Sequence, residues 1–144
     1  MPAHSMPIEV VFRHCDPAGI VFYPRYVEMI NDTVEHWFMH GLGVDFDTLH
    51  RVRSIAIPVV DLHCTFSAPG RLGESLVAQL SVNRIGQRSL NLHWRLESAG
   101  DDRHLKLRAE MAIVFVDKET VRPISIPEDL RSQLVRYQDM KADA

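Results

Sequence analysis

Apolar and polar positions alternate at the start of the chain. Ile8, Val10 and Phe12 stand against Glu9, Val11 and Arg13, which predicts a short strand with one apolar face. The run His14-Cys15-Asp16-Pro17-Ala18-Gly19 then reads as a turn. Pro17 disfavours the helical region at Asp16, and Gly19 permits a tight turn. From residue 24 to about 40 the period becomes helical. Tyr26, Met29, Ile30, Thr33, Val34, Trp37 and Phe38 form one stripe, with Arg25, Glu28, Asp32, Glu35 and His36 mostly opposite. Pro24 suits the first helical turn, and Gly41 and Gly43 are placed to end the helix. A shorter helical piece is expected over 45–51.

The remainder reads mostly as strands. Residues 55–67 are β-rich, with Pro58 marking an irregularity or an edge. Period-2 alternation runs over 74–85, 89–97 and 105–115, joined by hairpin connections at Gly86-Gln87 and at 98–103. Pro127 opens a last helix, from 128 to about 140. The order predicts one α+β domain over residues 1–144: a strand, a long helix, then an antiparallel meander of four long strands. The striped helix can cover one face of such a sheet.

Composition narrows the function. Hydrophobic residues make up 46% and charged residues 24%, the balance of a soluble globular chain. A net charge of −3 lacks the footprint of a nucleic-acid binder, though a local basic patch still leaves room for a small anion. Two cysteines cannot build a disulfide scaffold, so reduced thiols and a cytoplasmic location are expected. No apolar run reaches the ~18–20 residues of a membrane span, and MPAHSMP lacks the order of a signal peptide.

The chemistry concentrates around Asp16. This carboxylate precedes a helix start by seven or eight residues, and a helix start presents unpaired N–H groups with partial positive charge. Carboxylate and N–H groups together suit acyl transfer: one attacks or activates water, the others hold an oxyanion. Taken alone, an Asp before a Pro is more often an ordinary turn residue. His36 and His40 are four apart on the helix but have no clear third ligand, so no metal is expected. His14 and Cys15 stand just before Asp16, yet adjacent side chains on an extended segment point apart, which argues against a cysteine nucleophile. His63 and Cys64 read as structural for the same reason.

Asp16-Pro17-Ala18-Gly19-Ile20-Val21-Phe22-Tyr23-Pro24, between a strand and a striped helix, resembles the signature of the 4-hydroxybenzoyl-CoA thioesterase family of hotdog proteins. The likeness is dense over residues 8–40 and is carried elsewhere by strand order. It implies a hotdog fold, a curled antiparallel sheet wrapped around one long helix. It also implies an acyl-CoA thioesterase. Asp16 takes the role of nucleophile or general base, and the backbone N–H of Tyr23 polarises the thioester carbonyl. A thiolate leaves readily, so neither a metal nor a cofactor is required.

The resemblance further points to Gly19, Phe22, Tyr26 and Asn31 as substrate contacts. Arg84, Arg88 and Arg122 are candidates for the CoA phosphates, since guanidinium forks fit phosphate oxygens. Phe22, Tyr26, Phe66 and Trp37 are candidates to line an apolar acyl pocket, although aromatic residues on such a stripe are more often plain core. Where the 4-hydroxybenzoyl enzyme binds a phenol through an acidic helix residue, the corresponding position here is Asn31, with Asp32 beside it. An amide adds no charge and donates as well as accepts, which argues for a different acyl group. A homodimer or homotetramer with sites at the subunit interface is implied, and long strands with unpaired edges agree with that. The alternative function is a non-catalytic acyl-CoA or acyl-carrier binding module on the same fold. A dehydratase or hydratase would need a histidine-based constellation that has no matching motif.

Overall fold

The computed structural model describes residues 3–138. Its main sheet holds β1 (His4–Glu9), β3 (Val59–Phe66), β4 (Ser75–Ile85), β5 (Ser89–Ser98) and β6 (Leu105–Val114), in the order β1-β4-β5-β6-β3. Every pairing in it is antiparallel. A small second ribbon pairs β2 (Ile55–Ala56) with β7 (Val116–Asp117). The long helix α1 spans Tyr23–Trp37, and α2 spans Glu128–Leu134. No helix of the described residues is long and apolar enough to cross a membrane.

The two hydrophobic periods meet in the core. Tyr26, Met29, Ile30, Thr33, Val34 and Trp37 are the buried stripe of α1. They face Leu76, Ala78, Leu80 and Val82 of β4, with Leu90, Leu92, Trp94 and Leu96 of β5 beside them. The cross-strand pairs Leu80↔Trp94 and Trp94↔Ala109 set a large ring against a small neighbour at the centre of the sheet. Register shifts at Val82/Arg84, Leu96/Glu97 and Val59/Asp61 interrupt three ladders. Such irregularities bend a sheet, which lets it curl over the helix.

One polar relay crosses this apolar layer. Thr33 Oγ1 donates to the Met29 carbonyl at 2.7 Å and accepts from Trp94 Nε1 at 3.1 Å. The indole N–H at the sheet centre is thereby satisfied by the helix above it, as a buried donor requires.

Several expectations need correction. The first strand ends at Glu9, and Phe12–His14 forms a single tight 3-10 turn. His14 Nδ1 captures the Val11 N–H at 3.0 Å, so a local side-chain bond replaces the ladder there. The helix ends at Trp37 and continues as a wider turn over Phe38–Leu42, with Gly43 in the left-handed region at φ 79°. Gly41 lies inside that turn. The four-strand meander is a three-strand meander, β4-β5-β6. The first of the expected four, β3, crosses to the far side of β6, with Leu62↔Met111 and Thr65↔Arg108 in register. The last helix stops at Leu134 and closes with a 3-10 turn over Val135–Tyr137. The part of it expected beyond 138 lies outside the described residues.

β3 is an edge strand and its side chains are largely exposed, Val60 at 62% and Phe66 at 54%. At the opposite edge, His4 of β1 meets α1. His4 Nε2 and His36 Nδ1 lie 2.7 Å apart, and the His36 and His40 rings have centroids 4.4 Å apart. Burial first, then His36 and His40, holds His4 below its ordinary pKa of 6.5; burial and His40 do the same for His36. The folded chain therefore binds these protons less readily than the unfolded chain. Their stabilisation is complete above pH 6.5 and is lost as pH falls through the depressed values. Thermal unfolding should accordingly show Tm falling from pH 7 to about pH 5. A His4→Gln/His36→Gln double variant should lose less than wild type over that window. An equal loss in both proteins would refute the assignment.

Candidate active site

The loop before α1 is tied to itself and to the sheet. The Asp16 N–H donates to Ile20 O and the Gly19 N–H to Asp16 O, both at 3.0 Å. Cys15 bridges Val21, and Ile20 bridges Arg71. Asp16 Oδ1 accepts from the Ala18 N–H at 2.9 Å, which closes an Asx turn. One carboxylate oxygen is thus fixed, while Oδ2 has no partner among the described residues. Gly19 adopts φ +78° with open space where a Cβ would stand, so the left-handed backbone, not crowding, selects glycine there.

The helix start offers one free donor. The Phe22 N–H is taken by His14 O at 2.9 Å, and Pro24 has no N–H. The N–H of Tyr23, between them, meets no acceptor among the described residues. Phe22 and Tyr23 are themselves exposed and pack edge-on, with ring centroids 5.4 Å apart. Tyr26 is buried, and its hydroxyl accepts from the Gly70 N–H at 3.0 Å. Because Gly70 O in turn receives the Val21 N–H, Tyr26 holds the segment that braces the Asp16 loop. Burial raises the Tyr26 pKa above 10.

A cavity of about 600 Å³ opens along α1. Val27, Ile30, Asn31 and Val34 of the helix form one wall, and Phe46 and His50 a second. The third side comes from residues 56–59, Leu62, Met111, Ile113, Val116, Lys118 and Val121. Val121, a β-branched residue at φ 59°, is strained there by ~1–3 kcal/mol. The aromatic pocket expected from sequence is not this one. Tyr26 and Trp37 are core residues, Phe22 and Phe66 are exposed, and none of the four lines the cavity. Asn31 does line it.

The three candidate arginines are exposed, and no guanidinium among them bonds to a described residue. Arg88 and Arg122 sit on neighbouring loops: Arg88 O accepts from Phe115 N and Arg122 O from Asp117 N. Arg84 lies on β4 opposite Asn91, on the same hairpin as Arg88. Arg131 of α2 donates to Gly86 O at 2.7 Å and so steadies the turn that carries Arg88.

Sequence reasoning missed two features. His50 and Lys118 reach the cavity from segments distant in the chain. A polar recess of about 290 Å³ beside the Asp16 loop is lined by Arg13, His14, Arg25, Glu28, Met29 and Asp32. Arg25 pairs with Glu28 at 2.8 Å, and its buried Nε has no partner there. Burial, then Arg13 and Arg25, lowers the His14 pKa below 6.5. Among the described residues no group of three or more His, Cys, Asp or Glu is arranged to hold a metal ion.

Comparison with known proteins places these features in context. Residues 10–134 match the thioesterase-like superfamily. A 4-hydroxybenzoyl-CoA thioesterase from Pseudomonas sp. is 25% identical over 130 residues, 87% of this chain and 92% of that protein. The crystal structure of a Synechocystis 1,4-dihydroxy-2-naphthoyl-CoA thioesterase superposes with a TM-score of 0.84 at 18% identity, over 96% of this chain and 98% of its own. A Staphylococcus aureus protein solved in complex with CoA gives 0.85 at 18% identity, over 96% and 87%. The expected curled sheet around one helix is the architecture of these neighbours.

Proposed function

The chain belongs to the thioesterase-like superfamily, and from that premise we propose that it hydrolyses acyl-CoA thioesters to the free acid and CoA. One observation carries this reading. An aspartate with one uncommitted carboxylate oxygen sits in a braced loop directly before a helix whose first N–H has no acceptor. The Tyr23 N–H receives the negative charge that develops on the thioester oxygen. Asp16 either bonds to the acyl carbon as the C–S bond breaks, giving an anhydride that water then opens, or takes a proton from attacking water and delivers it to the departing thiolate. Gly19 shapes the loop, Tyr26 braces it, and Phe22 flanks its exit. The acyl group lies in the cavity along α1, against Asn31. Arg84, Arg88 and Arg122 serve the CoA phosphates. The CoA thioester in the name of the Pseudomonas relative and the CoA bound by the Staphylococcus aureus protein support the substrate class.

The test is kcat/KM across aryl-, short- and medium-chain acyl-CoA thioesters, with thiol release as readout. Binding of acyl groups without turnover of any thioester would overturn the assignment in favour of a binding module.

The working unit in this reading is a homo-oligomer, a dimer or a tetramer. Support comes from β3, whose free edge and exposed Val59, Val60, Leu62 and Phe66 invite a second strand. Sedimentation velocity should show a dimer or larger species at micromolar concentration. A fully active monomer would sink the idea.

A further inference from the structure

We infer that His50 selects the acyl group: its Nε2 accepts a hydrogen bond from a hydroxyl on a bulky, otherwise apolar acyl group bound in the cavity along α1. This rests on the thioesterase reading above. The direction of one hydrogen bond fixes the neutral His50 tautomer. His50 Nδ1 lies 2.8 Å from the Phe46 carbonyl oxygen. A carbonyl oxygen only accepts, so the proton sits on Nδ1. In the neutral ring Nε2 then carries a lone pair and no proton, and no described residue bonds to it. The ring is also held in place by edge-on packing against Phe46, with centroids 5.0 Å apart. The tautomer and the orientation are therefore both set before any ligand arrives.

The surroundings make that acceptor discriminating. Asn31, His50 and Lys118 are the polar side chains on a cavity wall that is otherwise apolar. Asn31 both donates and accepts, and Lys118 only donates, on a long flexible chain, so neither is a fixed acceptor. His50 Nε2 only accepts. An acyl group that fills the cavity strips water from it, and the loss is recovered only if the acyl group brings a donor.

The cavity is also placed to receive the acyl group. Tyr23, Val27 and Asn31 follow at i, i+4 and i+8 on α1, one row along the helix. The cavity wall thus begins at Val27, about 6 Å along the axis from the Tyr23 donor, and runs away from it. A volume of about 600 Å³ accommodates a bicyclic ring.

The experiment compares kcat/KM for naphthoyl-CoA thioesters carrying a ring hydroxyl at different positions with the deoxy parent, in wild type, His50→Asn and His50→Phe. Asparagine places its amide nitrogen near Nδ1 and keeps the bond to Phe46 O, but has no atom at Nε2. Wild type should prefer at least one hydroxylated thioester by about tenfold or more. Both variants should lose that preference, with kcat/KM for the hydroxylated thioester falling to that of the deoxy parent in the same variant. Hydrolysis by wild type without any hydroxyl preference, or a preference that survives in His50→Asn, would overturn this inference alone. No hydrolysis of any thioester would overturn the thioesterase reading with it. If His50→Asn fails to fold, the wild-type ratio and His50→Phe still decide.

Discussion

Replacing Asp16 by asparagine is expected to lower kcat for acyl-CoA hydrolysis by about 10²–10⁴-fold while leaving the fold intact. The substitution separates chemistry from architecture. Asparagine keeps an oxygen where Asp16 Oδ1 accepts the Ala18 N–H, so the turn that orients the loop persists. The bracing bonds through Ile20, Val21 and Gly70 are made by backbone groups and do not depend on the charge. What disappears is the anionic oxygen, and an amide neither attacks a thioester nor accepts a proton from water at neutral pH. Substrate binding should survive, so KM should change far less than kcat. An Asp16→Asn enzyme within about tenfold of wild type in kcat would show that another group does the chemistry. A single wild-type turnover in ¹⁸O water adds a further distinction. Unlabelled acid product identifies an anhydride opened by water at the Asp16 carbonyl.

The second large effect is on stability. Trp94→Ala should cost about 3–5 kcal/mol in equilibrium denaturation, measured at fixed protomer concentration. Trp94 is fully buried at the centre of the sheet, paired across to Leu80 and Ala109. Its removal opens a cavity directly beneath α1 and deletes the link from Nε1 to Thr33. Against a typical total of about 5–15 kcal/mol, the loss would leave the protein marginal. Thr33→Val probes the link by itself. It leaves the buried indole N–H without an acceptor and should cost about 1–3 kcal/mol. A Trp94→Ala protein within about 1 kcal/mol of wild type would mean that this part of the core is not packed as described.

The Asp16 loop was readable because its parts are contiguous. The carboxylate, the turn, the proline of the first helical turn and the free N–H all fall between residues 14 and 26, so local rules reach every one of them. The helix stripe was equally plain, and all six residues of it within α1 are buried. The cavity was not readable. Its walls come from α1, the Phe46–His50 segment, residues 56–59, β6 and the 116–121 turn. An aromatic such as Trp37 sits on the stripe whether it fills a core or lines a pocket, and only packing decides between them. Likewise His50 resembles any surface-helix histidine until the Phe46 carbonyl and the cavity are seen together.

By itself the sequence determined an α+β chain with one buried helix stripe, antiparallel strands of known inward faces, and a carboxylate held before a helix start. Periods of 3.6 and 2 encode which face of an element is buried, and turn chemistry is local. Only the tertiary structure decided that β3 lies beside β6, that Tyr26 and Trp37 belong to the core while Phe22 and Phe66 are exposed, and that a cavity follows the helix away from Tyr23. Alternation tells which side of a strand faces inward but not which strand lies next to it. A cavity is the space left between elements, so it has no period to read.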